Sequence, residues 1–141
     1  MDTQQLLQEC NAGCKMAIKS MDQVIEYVGD EKLEKLIEKY KYAHENLEEE
    51  TGNLLKQMGK EEKEPGMMAT AFSWLTTETK LIVDNSDNDI TKILMDGCNM
   101  GIQSIGEYSN KYTGASEEAK KLADKLIRLE EEFMQELKTF L

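Results

Sequence analysis

Nucleophilic catalysis and transition-metal binding draw most often on imidazole, thiolate and carboxylate groups brought to one point, and this chain offers the first two sparingly. Its 141 residues hold one histidine, His44, and three cysteines, Cys10, Cys14 and Cys98. His44 falls on the apolar line of an amphipathic segment, where a substrate could reach it only through a cavity, so no Ser/His/Asp or Cys/His nucleophile arrangement follows. Cys10 and Cys14 are four residues apart and share a helix face, a placement that could suggest a thiolate cluster, a zinc site or a haem site. No C-x-x-C spacing and no basic neighbour that would lower a thiol pKa accompanies them, which favours small apolar side chains packed in a core. Met16, Met21, Met95 and Met100 read the same way, as adaptable core rather than haem ligands or a sticky groove.

The carboxylate that belongs with His44 is found through a repeat. GCKMAIKSM at residues 13–21 returns without a gap as GCNMGIQSI at 97–105, with Gly13/Gly97, Cys14/Cys98, Met16/Met100, Ile18/Ile102 and Ser20/Ser104 identical. An offset of 84 residues held over a helical segment suggests an internal duplication of a helix pair. The last helical segment matches the second at an offset of 86, which sets Glu130 where the first half has His44. Taking the hairpin turns as the register, His44 faces Ala17 and Glu130 faces Gly101, so these four residues form one central layer. Asp96, whose repeat equivalent is Ala12, lies off the core line.

A buried imidazole and a buried carboxylate each cost a few kcal/mol alone, and each can satisfy the other. The expectation is therefore a His44/Glu130 pair, within contact distance or one bridging water, with Tyr40 nearby. The alternative is a remnant or mononuclear metal site at His44 and Glu130, completed by a thiolate or by water. Gly13, Gly97 and Gly101 would each cost about 1 kcal/mol inside helices relative to Ala, so they are expected to let helices approach closely.

The elements that must position this layer are helices. Leu7, Cys10, Cys14, Ala17, Met21, Val24 and Val28 alternate steps of three and four, giving a first helix over 3–28 that Gly29 stops. Asp30 caps a second helix over 31–58, whose stripe is Leu33, Ile37, Tyr40, His44, Leu47, Thr51, Leu54 and Met58. GKEEKEPG at 59–66 reads as a linker. A shorter helix over 67–84 carries Met68, Phe72, Leu75, Thr79 and Ile82 on one stripe and Trp74 on another face. Ser86 or Asp87 caps a helix over 87–112 with Leu94, Cys98, Gly101, Ile105, Tyr108 and Tyr112 on its stripe. Gly114 then plays the part of Gly29. The final helix, 116–141, lines up Ala119, Ala123, Leu126, Glu130, Phe133, Leu137 and Phe140.

The fold class is thus all-α: one domain over 1–141, in which hairpins 3–58 and 87–141 pack as a four-helix bundle. Eighteen residues of helix span about 27 Å, roughly the bundle's length, so 67–84 can act as a crossover that carries the chain from one end to the other. One proline and 32% charged residues, in long Glu and Lys runs, agree with helix throughout. A net charge of -11 and a pI near 4.6 disfavour phosphate backbones and anionic lipid surfaces, so neither nucleic acid nor membrane is an expected partner. No apolar window reaches the ~20 residues of a membrane span. The polar opening MDTQQLLQEC and three free thiols fit the cytoplasm.

Over nearly its whole length the chain resembles the ferritin-like superfamily. KYAHENLEEETGNLLKQMG, EPGMMATAFSWLTTETKLI and MDGCNMGIQSIGEY look like a bacterial ferritin-like group of unknown function, in which a His on the second helix, a short Trp-bearing crossover helix and a Gly-containing third bundle helix recur. The resemblance implies a fold and no activity. Di-iron members of the superfamily use a Glu from each of two helices and a Glu-x-x-His pair from each of the others. Here His44 is followed three residues on by Leu47 and Glu130 by Phe133, and Ala17 and Gly101 bring no carboxylate. No cofactor and no metal are expected on this ligand count. The functional expectation is a non-catalytic bundle that self-associates or binds a protein partner. Because Phe72 and Trp74 cannot both face the bundle, a homodimer through helix 67–84 is predicted.

Overall fold

The computed structural model describes residues 1–62 and 86–141, and within them every regular element is helical. The expected helix over 67–84, its crossover path and its part in a dimer lie outside the described residues. Four long helices are present: α1 (Asp2–Ile25), α2 (Glu31–Gln57), α3 (Asp87–Lys111) and α4 (Glu117–Leu137). A 3-10 turn, Lys138–Phe140, extends the last. The helix expected over 3–28 ends three residues early, because Tyr27 N and Val28 N bond the carbonyls of Val24 and Ile25 in a tight turn.

Local chemistry explains the other boundaries. Asp30 accepts from Lys32 N at 2.7 Å, the expected cap for α2, with Glu31 and Glu34 favourably placed in the first turn. α2 ends where Gly59 takes φ 70: Gly59 N bonds Lys56 O and Lys60 N bonds Leu55 O, a pattern that satisfies the last carbonyls and favours glycine at that site. Ser116 caps α4 by accepting from Ala119 N at 3.2 Å. At α3 the expected cap behaves differently: Ser86 makes no side-chain cap bond, and Asp87 is spent elsewhere.

Asp87 reaches across to the α1–α2 turn, where its two carboxylate oxygens accept from Gly29 N and Asp30 N, both at 2.8 Å. At the opposite end Asp2 accepts from Gly114 N at 2.8 Å and Thr3 Oγ1 from Ser116 N at 2.9 Å. The first residue of α1 thus clasps the α3–α4 turn, and the first residue of α3 clasps the α1–α2 turn. This reciprocal clasp fixes directions: α1 and α4 run one way, α2 and α3 the other. α2 therefore ends at one end of the bundle and α3 begins at the other.

The helices pack most extensively within hairpins, α1 on α2 and α3 on α4, while α1 also meets α3 and α4, and α2 meets α4. The buried side chains form two main clusters. One, toward the start of α1, gathers Leu6, Leu7, Cys10, Leu47, Leu55 and Leu122 among others. The other, toward the α1–α2 turn, gathers Met21, Val24, Leu33, Ile37, Ile90 and Phe133 among others. On α2 the stripe shifts from its expected line: Leu55 is fully buried, Leu54 is half-buried and Met58 is exposed. Following Thr51 by a step of four keeps the apolar line turned toward Leu6 and Leu7, which a step of three would not, given 3.6 residues per turn.

Candidate functional site

Between the two clusters lies the layer of Ala17, His44, Gly101 and Glu130. His44 is fully buried and Glu130 is 6% exposed. Their side chains meet, His44 Nε2 against Glu130 Oε1, across 86 positions of sequence. The Glu130 side chain lies over Gly101, where an added Cβ would stand 3.4 Å from Oε2 and 3.5 Å from Cδ. The small residue leaves the room that the carboxyl occupies. At Gly13 a Cβ would meet Ile105 Cδ1 at 3.6 Å and Leu126 Cδ2 at 3.7 Å, ordinary contact distances, and at Gly97 it would meet nothing within 4 Å, so the close helix approach expected from the sequence accounts for neither glycine.

The other ring nitrogen decides the protonation of the pair. His44 Nδ1 lies 2.7 Å from the Tyr40 carbonyl oxygen, which can only accept, so Nδ1 carries a proton and donates. The Nε2–Oε1 contact then needs one proton between the two atoms. It is held either as imidazolium against carboxylate or as neutral imidazole against carboxylic acid, and the pair is neutral overall in both forms. Burial disfavours the imidazolium and is the largest single influence on it. The hydrogen bond and charge of Glu130, with the Tyr40 carbonyl, outweigh burial and raise the His44 pKa above the ordinary imidazole value.

Tyr40 braces the pair. Its ring stacks on Phe133 with centroids 4.5 Å apart, and its hydroxyl donates to the Glu136 carboxylate, which also receives Lys39 at 3.5 Å. Burial first, and the Glu136 bond second, push the Tyr40 phenol up, so it stays a donor at any neutral pH. The backbone of α2 thereby positions the imidazole through Tyr40 O one turn earlier, while α4 supplies the carboxyl.

Cys10 and Cys14 belong to the cluster toward the start of α1 and Cys98 to the other. All three are free and buried. Burial pushes the Cys10 thiol up to about 12, and pushes Cys14 and Cys98 up as well, with Glu130 adding to both. A thiol so raised is neither a good nucleophile nor a ready metal ligand. Among the described residues no three His, Cys, Asp or Glu side chains come together as a group able to hold a metal ion.

A second polar group was not anticipated in the sequence. Asn11 and Thr51 are both fully buried, and Asn11 Nδ2 donates to Glu48 O at 3.0 Å and Thr51 Oγ1 at 3.1 Å. Thr51 had a place on the α2 stripe, but Asn11 sits beside the α1 stripe, on its flank toward α2. The signal that could have found it is the breadth of the apolar arc at Leu6, Leu7, Cys10 and Cys14, which is wide enough to bury its flanks.

No family model, no curated protein and no solved structure matches this chain.

Proposed function

We propose that the chain is a ferritin-like bundle that lacks a di-iron ligand set and acts by self-association or by binding a protein partner, without catalysing a reaction. The observation that carries this reading is the central layer. The two residues there with chemistry to offer, His44 and Glu130, are spent on each other and on the Tyr40 carbonyl, and the other two are Ala17 and Gly101. A dinuclear centre of the Glu and Glu-x-x-His kind needs six ligands, and this layer supplies two. The helix directions support the ferritin-like reading, because α2 and α3 run the same way and need a long connection between them. Three buried, un-ionised thiols suit a cytoplasmic protein.

Two measurements on the whole chain test it. Elemental analysis of protein purified without chelator is expected to find Fe, Mn and Zn far below one equivalent; near-stoichiometric metal that is lost in His44→Leu would replace this reading with a mononuclear centre at His44 and Glu130. Light scattering is expected to give a mass of twice 16.1 kDa at tens of micromolar protein. A monomer would remove self-association and leave partner binding alone.

A further inference from the structure

Beside the His44/Glu130 pair is a cavity of about 50 Å³. It is lined by residues at matched places in the two repeats: Gly13 and Gly97, Ala17 and Gly101, Ser20 and Ser104, Met21 and Ile105. Four pairs at one offset of 84 residues place the void between α1 and α3, where small side chains stand in both helices. It is not a gap left by one badly fitting residue. Leu126, Phe133, Ile93 and Leu94 complete most of the wall.

The wall's chemistry selects what can occupy it. His44 donates at Nδ1 to Tyr40 O and shares a proton with Glu130 at Nε2, so the pair presents no net charge and no spare imidazole nitrogen. Ser20 donates its hydroxyl to Met16 O at 2.8 Å. An ion would find no net counter-charge, and the polar atoms the wall still offers, the Ser104 hydroxyl and Glu130 Oε2, are few against a lining that is otherwise mostly carbon, so a water, which needs two to four polar partners, is held less well than an apolar guest. Apolar cavities of about 150 Å³ stay dry and take benzene or xenon, so a third of that room fits a molecule of only a few non-hydrogen atoms.

The geometry points to this cavity as a binding site for a small, uncharged, apolar molecule of two to four non-hydrogen atoms, held between α1 and α3 against the neutral His44/Glu130 pair. The site is independent of the partner-binding reading, and either can stand without the other. The size of the room excludes an acyl chain or an aromatic ring wholly inside it. The neutrality of the pair excludes carboxylates and amines.

Xenon titration of the full chain, followed by methyl NMR, tests the proposal. Saturable shifts are expected at the methyls of Ile93, Ile105 and Leu126. They should weaken several-fold in Gly13→Ala, whose new methyl would meet Ile105 and Leu126 at ordinary contact distances and so should leave the fold intact. They should vanish in Ala17→Leu. Methanol, of similar size but polar, is expected to give no saturable shift at the same methyls. A wild-type protein with no saturable xenon shift, shifts indifferent to Gly13→Ala, or methanol binding as well as xenon would each overturn the assignment.

Discussion

The cluster toward the start of α1 and the layer at mid-height are built from the same four helices, yet they handle burial in opposite ways. In the cluster Leu6, Leu7, Leu47 and Leu55 are at most 1% exposed and meet one another directly. At mid-height an imidazole and a carboxyl are also buried, their neighbours shrink to Ala17 and Gly101, and a cavity opens beside them. The first region gains stability in proportion to apolar area removed from water. The second gains little net, because the attraction between two buried groups is offset by the loss of their hydration. What the layer contributes is register: a neutral, proton-sharing pair forms only when α2 and α4 are correctly aligned.

This contrast can be broken at several points. The largest effect is expected in the packed end, where Leu47→Ala removes a buried side chain and leaves a hole, destabilising by about 3 kcal/mol in chemical denaturation. A value under about 1 kcal/mol would mean that this end is no better packed than the middle.

The next is a pH effect confined to the middle. The His44 pKa is raised on folding, so the stability it contributes is fully present below the unfolded imidazole value of about 6.5 and is lost as pH rises through the folded value. While the folded chain holds one proton more than the unfolded, stability should fall by up to about 1.4 kcal/mol per pH unit. The raised thiols act in the same direction, but chiefly above about pH 7.5, as unfolded cysteine approaches its half-ionised point near about 8.5. A denaturation series between about pH 6.5 and 7.5 therefore isolates the pair. The slope should disappear when both His44 and Glu130 are replaced by Leu.

Smaller again is the clasp. Asp87→Ala frees two backbone N–H groups at Gly29 and Asp30, both exposed enough to find water, and should cost about 1 kcal/mol in thermal or chemical denaturation. Asp2→Ala should act alike at the other end, where Gly114 has lost the same kind of partner. Smallest is a gain. Gly97→Ala meets nothing within 4 Å and removes a glycine from a helix interior, so it should stabilise by up to about 1 kcal/mol. Gly101→Ala brings its methyl against the Glu130 carboxyl and should gain less.

Much of this was legible in residue spacing. The helical stripes set α1 to α4 to within a few residues, and the matched offsets of 84 and 86 set His44 and Glu130 at the same height. The turn residues set the register that lays Glu130 over Gly101. What spacing could not show were contacts between hairpins. Asp87 looked like a cap for its own helix, because a carboxylate at a helix start has that local use. Its acceptance from Gly29 N and Asp30 N depends on where another turn sits in space. Asn11 was missed because a stripe drawn one residue wide leaves out flanking positions that a neighbouring helix buries. Val28 and Leu54 moved from the expected line for the same kind of reason: turn geometry and fractional helical pitch decide the last position on a stripe.

The central claim is that His44 and Glu130 satisfy each other. A double-mutant cycle in chemical denaturation measures this most directly, with His44→Leu, Glu130→Leu and the double replacement compared at pH 6. Each single change strands a buried polar partner, and His44→Leu is expected to destabilise by about 3 kcal/mol, while the double change recovers much of that loss, giving a coupling of about 2 kcal/mol or more. A coupling near zero would contradict the account, since it would mean that each group is satisfied without the other.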